Sequence, residues 1–312
     1  MGGDNMKLAI LYGGQGSQQI GMGKSLYDHF EQAKVFYDQY ADIRELSFHS
    51  DLETLSKTQH TQPCMVAFDI VMTDILQQEG IVPDMTAGLS IGEYGALYGA
   101  KVLSQKDVMK IAQVRGKAME EALVGKDTMM CAVLKMEEEE ILSYCKKYST
   151  RDRKIEITNF NTVGQIVIGG DREQMMKLME EVKENKSGKM IPLNVSGSFH
   201  TSYMKPAGEV LQGLFEQMEF DMPKIPIVWN VNGEISQKND DIKQIMVQQV
   251  QQSVHFYQSI QKMIEEGMDT FIEIGFGNVL QGFIRKISKD SAVLPCFDYD
   301  SLQRTIEYVK KG

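Results

Sequence analysis

Met85-Thr86-Ala87-Gly88-Leu89-Ser90-Ile91-Gly92-Glu93-Tyr94 is the stretch on which the fold turns. A short apolar run at 85–87 enters Gly88, and a serine sits between two glycines. A run of small residues follows at 93–100. The G-x-S-x-G pattern, with a strand before it and a helix after it, puts the serine on a strained strand-to-helix turn with its hydroxyl projecting outward. The N–H of the next residue, Ile91, can then point at a developing oxyanion. The competing reading is an ordinary glycine-rich turn. The strand-like and helix-like flanks favour the nucleophile elbow, and with it a sheet of parallel strands and crossover helices.

Working outward, residues 7–12 form a second apolar run that ends in Gly13-Gly14, a buried strand feeding a glycine loop. Residues 62–78 are apolar nearly all round, which predicts a helix buried on most sides, with Thr61 as N-cap and Pro63 in the first turn. Ser104 and Asp107 make a capping-box-like start to another helix. Its apolar stripe of Val108, Ile111, Ala112 and Met119 includes Arg115. A second stripe through Val114 and Ala118 leaves the burial of Arg115 open.

The middle of the chain has its own rhythm. Strands are expected at 130–134, 155–158, 166–168 and 190–195, with helices at 137–147 and after Asp171. That β-α-β-β-α-β order is the ferredoxin-like split motif. It predicts a small domain at 129–195 inserted into a discontinuous larger one at 6–128 and 196–312. The larger domain continues with a helix at 202–218, a strand at 225–229 and a helix at 241–264. Strands at 270–274 and 292–297 and a closing helix complete it.

The 312 residues carry 33 basic and 43 acidic side chains, a net charge of −10, which disfavours a nucleic-acid partner. No apolar run is long enough to span a bilayer. The N-terminus lacks the pattern of a signal peptide, and residues 1–5 read as a tag or loose leader. Cys64, Cys131, Cys145 and Cys296 are scattered without metal-binding or disulfide spacing, so no metal is expected and a cytoplasmic setting is. Near the N-terminus, Gly14, Gly16 and Gly21 fail the dinucleotide spacing. Gly23-Lys24-Ser25 lacks the upstream glycine of a phosphate-binding loop.

A serine nucleophile needs a base. Of the five histidines, His29, His49 and His60 lie away from strand ends, and His255 falls on the Gln- and Lys-rich side of its expected helix. His200 follows a strand and precedes a helix, where α/β folds place functional groups. No aspartate stands out as a third member. A triad and a dyad oriented by a backbone carbonyl both remain open.

Taken together, several segments resemble the malonyl-CoA:acyl-carrier-protein transacylases of fatty-acid and polyketide synthesis. They are Gly13-Gly14-Gln15-Gly16-Ser17-Gln18, the Gly88 to Tyr94 stretch, Arg115-Gly116-Lys117-Ala118-Met119, Phe199-His200 and Met204-Lys205-Pro206. Thr61-Gln62-Pro63, Trp229-Asn230-Val231, Val247-Gln248-Gln249 and Glu273-Ile274-Gly275-Phe276-Gly277 extend the likeness over nearly the whole chain. The resemblance implies an α/β-hydrolase-like core with a parallel sheet and an inserted ferredoxin-like (βαββαβ) small domain. It implies Ser90 as nucleophile, His200 as base and the Gln249 carbonyl as orienting group. The N–H groups of Gln15 and Ile91 would form the oxyanion hole. Arg115 would pair with the malonyl carboxylate, and Met119, Phe199 and Gln62 would help to bind substrate.

The implied reaction transfers malonyl from malonyl-CoA to the phosphopantetheine thiol of acyl carrier protein. It needs no resident cofactor, no metal and no membrane, and the enzyme is expected as a monomer. The competing activity is an acyl-enzyme hydrolase that clears stalled carrier proteins, which has no use for Arg115. Two departures from the family pattern stand out. Gly13 replaces a common proline, which loosens the oxyanion loop, and Leu89 replaces a common histidine. Phe199 before His200 resembles malonyl-selective members. Because carrier proteins are acidic and this chain is too, docking calls for a local basic patch. Lys183, Lys186 and Lys189, or Arg285, Lys286 and Lys289, are the candidates.

Overall fold

The computed structural model describes residues 6–311. The leader reading of residues 1–5 lies outside the described residues. Eight strands run in chain order: β1 Leu8–Tyr12, β2 Met85–Gly88, β3 Thr128–Leu134, β4 Ile155–Thr162, β5 Gln165–Asp171, β6 Lys189–Pro192, β7 Thr270–Ile274 and β8 Ala292–Cys296. They form two sheets.

The first sheet has the order β2-β1-β7-β8, and every pairing in it is parallel. β1 and β7 are buried along their whole length because helices cover both faces. Alternation along β1 divides its side chains. Leu8, Ile10 and Tyr12 join the core built with the helices Thr58–Gln78 and Gln105–Glu121. Ala9 and Leu11 face the opposite core, with the helices Phe256–Glu265 and Val279–Ile287.

The second sheet has the order β4-β5-β3-β6 and is antiparallel throughout. Its helices, Glu138–Tyr148 and Arg172–Asn185, cover one face, where Cys131, Val133, Ile141, Met175 and Leu178 pack together. Asp171 caps the second helix by accepting from the Gln174 N–H. Met130 and Val167 point the other way, into the core of the parallel-sheet half. The architecture is therefore an α/β-hydrolase-like core carrying a ferredoxin-like βαββαβ unit.

Several elements differ from the sequence expectation. The helix read at 62–78 starts at Thr58, so Pro63 is an interior residue and Thr61 is no cap. The Thr61 hydroxyl donates instead to the Leu55 carbonyl at 2.5 Å. The helix read at 202–218 is a short 3₁₀ turn, Ser202–Met204, followed by Lys205–Phe215. Residues 225–229 form no full strand. They make two backbone bonds beside β2, from Thr86 N–H to the Pro226 carbonyl and from Val228 N–H to the Thr86 carbonyl.

The helix read at 241–264 is two helices, Ile242–Gln249 and Phe256–Glu265. The residues between them are drawn out by β4. Phe160 N–H donates to the Val254 carbonyl, Val254 N–H to the Thr158 carbonyl, and the Ser253 hydroxyl to the Ile157 carbonyl. His255 consequently sits at a helix N-cap, half-buried, with its ring stacked 4.9 Å from that of Phe160. It is not on the solvated side of a continuous helix.

Among the described residues no helix is long and apolar enough to cross a membrane, and no cluster of His, Cys, Asp and Glu is placed to hold a metal. The four cysteines are free and buried.

Candidate active site

Ser90 lies at the turn between β2 and the helix Gly92–Gly99, in the left-handed conformation with φ 56°. Both flanking glycines are dictated by close approach. A Cβ on Gly88 would lie 2.0 Å from the Gly92 carbonyl carbon, and one on Gly92 would lie 2.3 Å from the Tyr12 carbonyl oxygen. The elbow is therefore pressed against β1.

The Ser90 hydroxyl is 2.6 Å from Nε2 of His200. His200 also has a positive φ, 56°, in the loop after β6. That loop is tied to the antiparallel sheet. Ser198 N–H donates to the Thr128 hydroxyl at 3.0 Å, and Ser202 N–H to the Glu156 carboxylate at 2.9 Å. The serine thus comes from one sheet and the histidine from a loop pinned to the other.

His200 Nδ1 is 2.9 Å from the Gln249 carbonyl. A carbonyl only accepts, so Nδ1 carries the proton and Nε2 presents its lone pair to Ser90. Gln249 ends its helix, which is why its carbonyl is free of an intrahelical donor. In the continuous helix expected from the sequence it would have been occupied. Burial, with the Arg115 charge second, pushes the His200 pKa down to about 3 and keeps the ring neutral.

Arg115 is fully buried, which settles the choice between the two stripes of its helix. Its Nη2 donates to the Gln249 side-chain carbonyl at 3.1 Å and comes within 3.4 Å of the Ser90 hydroxyl. Its Nε and Nη1 have no hydrogen-bond partner among the described residues. The guanidinium lies over the Tyr94 ring, 5.6 Å from its centre. The Gln249 amide donates to the Ser90 carbonyl at 2.7 Å.

A cavity of about 410 Å³ opens over Ser90 and His200. Gln15, Leu89, Ser90, Met119 and Phe199 line it on one side, and Met130, Asn161 and Gln165 of the antiparallel sheet on the other. Gln62 stands behind Met119, its amide donating to the thioether sulfur at 3.2 Å. The backbone N–H groups of Gln15 and Ile91 have no backbone acceptor among the described residues. The Gln15 side chain is anchored on the Thr58 hydroxyl at 3.0 Å. A larger hollow of about 800 Å³ meets His200 from its other side but does not reach Ser90.

The structure brings all nine singled-out residues into or directly behind one site. It also adds two that the sequence reading left without a role. Asn230 accepts from the Ser90 N–H at 2.8 Å and donates to the Gly88 carbonyl at 2.6 Å. Glu93 accepts from the Asn230 N–H at 2.8 Å. The signals for Glu93 are a lone acid directly after the elbow glycine, in a run of small residues, and its place inside the family-like Gly88 to Tyr94 stretch.

Residues 10–304 match the model of the acyl transferase domain. The chain is 36% identical over 310 residues to the malonyl CoA-acyl carrier protein transacylase of Bacillus subtilis, covering 98% of each. This chain belongs to the malonyl CoA-acyl carrier protein transacylase family. Among solved structures, the transacylase of Clostridium perfringens superposes with a TM-score of 0.93 at 36% identity, covering 98% of both chains. A malonyl-transacylase in complex with a type II polyketide acyl-carrier protein superposes with a TM-score of 0.91 at 30% identity, covering 97% of this chain and 99% of that one. The protein is an acyltransferase.

In this acyltransferase the Gly23-Lys24-Ser25 stretch has a structural place away from the cavity, whereas Gly14 and Gly16 line it. Gly23 precedes the short helix Lys24–His29, and the Ser25 hydroxyl accepts from the Tyr299 N–H at 2.9 Å.

Proposed function

We propose that the protein carries malonyl from malonyl-CoA to the phosphopantetheine thiol of acyl carrier protein through an ester on Ser90. The observation that carries this reading is the buried Arg115 guanidinium, whose Nη2 is 3.4 Å from the hydroxyl that would be acylated and whose Nε and Nη1 have no hydrogen-bond partner among the described residues. A buried cation with spare donors calls for an anion, and a guanidinium takes a carboxylate on two donors. The free carboxylate of a malonyl group bound to Ser90 meets that need, whereas an acetyl group leaves it unmet.

His200 starts neutral and takes the Ser90 proton on Nε2 as Oγ attacks the thioester carbon. The N–H groups of Gln15 and Ile91 receive the oxyanion. The C–S bond breaks, and the departing CoA sulfur takes the proton from His200. In the second half, the pantetheine thiol gives its proton to His200 and its sulfur attacks the ester carbon. Ser90 leaves and recovers the proton. The imidazolium formed in each half is oriented by the Gln249 carbonyl, which replaces the carboxylate of a triad. Met119, Phe199 and Gln62 shape the acyl end of the cavity. We place the protein in a reducing, cytoplasmic setting, which the four buried free thiols support.

Acyl transfer is favoured over hydrolysis of stalled carrier proteins because Arg115 would be idle in the latter. Intact-mass measurement separates the two. Malonyl-CoA should yield a malonyl adduct on Ser90 that persists until phosphopantetheinylated carrier protein is added, and the mass then moves to the carrier. An adduct that decays to free malonate without transfer overturns the reading.

A further inference from the structure

Ser90 holds a left-handed backbone conformation, φ 56°, that is strained for a residue with a side chain, so its surroundings must impose it. Two side chains grip its peptide groups. Gln249 binds the Ser90 carbonyl, as part of the network already described. Asn230 binds the N–H side, and does not itself line the cavity.

All four polar groups of Asn230 are committed, and the residue is buried. Its Oδ1 accepts from Ser90 N–H at 2.8 Å and its Nδ2 donates to the Gly88 carbonyl at 2.6 Å. Its own N–H donates to Glu93 at 2.8 Å, and its carbonyl accepts from the His255 N–H at 2.8 Å. One planar amide therefore spans the elbow from residue 88 to residue 90. Its backbone is fixed by the helix that follows the elbow and by the helix that begins after His255. A carboxamide is the group that offers a donor and an acceptor side by side; a carboxylate offers two acceptors.

We propose that Asn230 is the positioning residue of the nucleophile, its amide clamp on Gly88 and Ser90 holding Ser90 where Oγ meets His200. The proposal rests on the reading of Ser90 as nucleophile but not on the identity of the acyl donor. The clamp acts on the rate of attack rather than on the affinity of the cavity, because Asn230 is not itself among the residues that line it and reaches it only through the Ser90 backbone.

The test compares wild type with Asn230→Ala and Asn230→Asp. Two reactions are followed: single-turnover acylation by malonyl-CoA, and labelling by a fluorophosphonate, which reports the serine without needing a malonyl site. Asn230→Ala should slow both by about 100-fold, the loss typical of a displacement near 1 Å, with KM for malonyl-CoA within about threefold of wild type. Asn230→Asp keeps the acceptor for Ser90 N–H but sets a second oxygen against the Gly88 carbonyl. Protonation of that oxygen restores the donor. The ratio of Asn230→Asp to wild-type rate should therefore rise as pH falls, a signature that general loosening of the fold would not give.

Rates within threefold of wild type in Asn230→Ala overturn the proposal. So does a parallel loss of rate and substrate affinity in both variants, or an Asn230→Asp ratio that is flat with pH. If Asn230→Ala does not fold, the near-isosteric aspartate variant decides the matter. Should wild type be labelled by the fluorophosphonate yet ignore malonyl-CoA, the proposed function fails and the clamp stands.

Discussion

Replacing Arg115 with methionine tests the selectivity argument most directly. Methionine fills much of the same volume, so the change removes the charge and its donors while leaving little cavity. In wild type the guanidinium is fully buried, and among the described residues two of its nitrogens have no hydrogen-bond partner. On the proposed reading malonyl supplies those partners and acetyl does not. Removing one member of a buried, hydrogen-bonded ion pair costs about 3–5 kcal/mol. The cavity above Ser90 has a mouth, so screening favours the lower end, about 3 kcal/mol, which is roughly 150-fold in a rate ratio. Arg115→Met should therefore lower the preference for malonyl-CoA over acetyl-CoA by about two orders of magnitude.

The assay is competitive single-turnover acylation of Ser90, read by intact mass with both thioesters present. The ratio matters more than either absolute rate. The change also frees the Gln249 side-chain carbonyl, which Arg115 holds at 3.1 Å, and any slackening of Ser90 that results slows both acylations alike. An unchanged ratio would refute the reasoning, because a structural arginine would affect both donors equally.

Three further outcomes are expected. Gly92→Ala should destabilise the fold on the order of 3 kcal/mol and abolish acylation, since its Cβ would lie 2.3 Å from the Tyr12 carbonyl oxygen; urea denaturation and intact mass check it. His200, held at about 3, refuses a proton that the unfolded chain accepts near 6.5, so stability should climb as pH rises from about 3 to 6.5 and level off above. Melting curves should show a shallower slope over that window in His200→Gln, and an equal slope would contradict the assignment. Arg285 and Lys286 are exposed on the helix whose Val279 and Phe283 line the cavity. Reversing both charges should weaken transfer to an acidic carrier protein and spare acylation by malonyl-CoA, whereas equal loss of both half-reactions would exclude this helix as the docking patch.

The local features were legible in the sequence because short-range rules govern them. The glycines around Ser90 are required by a tight turn. The caps at Ser104 and Asp171 follow from unsatisfied N–H groups at helix starts. Strand alternation and helix periodicity gave both layers of the fold. The two-helix break at 250–255 was not legible, because residues 241–264 carry an uninterrupted helical pattern and the force that interrupts it is pairing with β4, about 95 residues earlier in the chain.

The sequence by itself therefore singled out the groups that the fold brings together: a serine on an elbow, a histidine past a strand end, an arginine on a core stripe and two glycine-rich loops. Tertiary structure decided how those groups are tuned. Burial keeps His200 neutral, and two Arg115 nitrogens are left without a partner among the described residues. A helix broken from outside releases the Gln249 carbonyl to accept from His200 Nδ1. Asn230, distant in sequence from both, closes over the elbow. Each of these depends on desolvation or on contacts between residues far apart in the chain, and neither is written in local pattern.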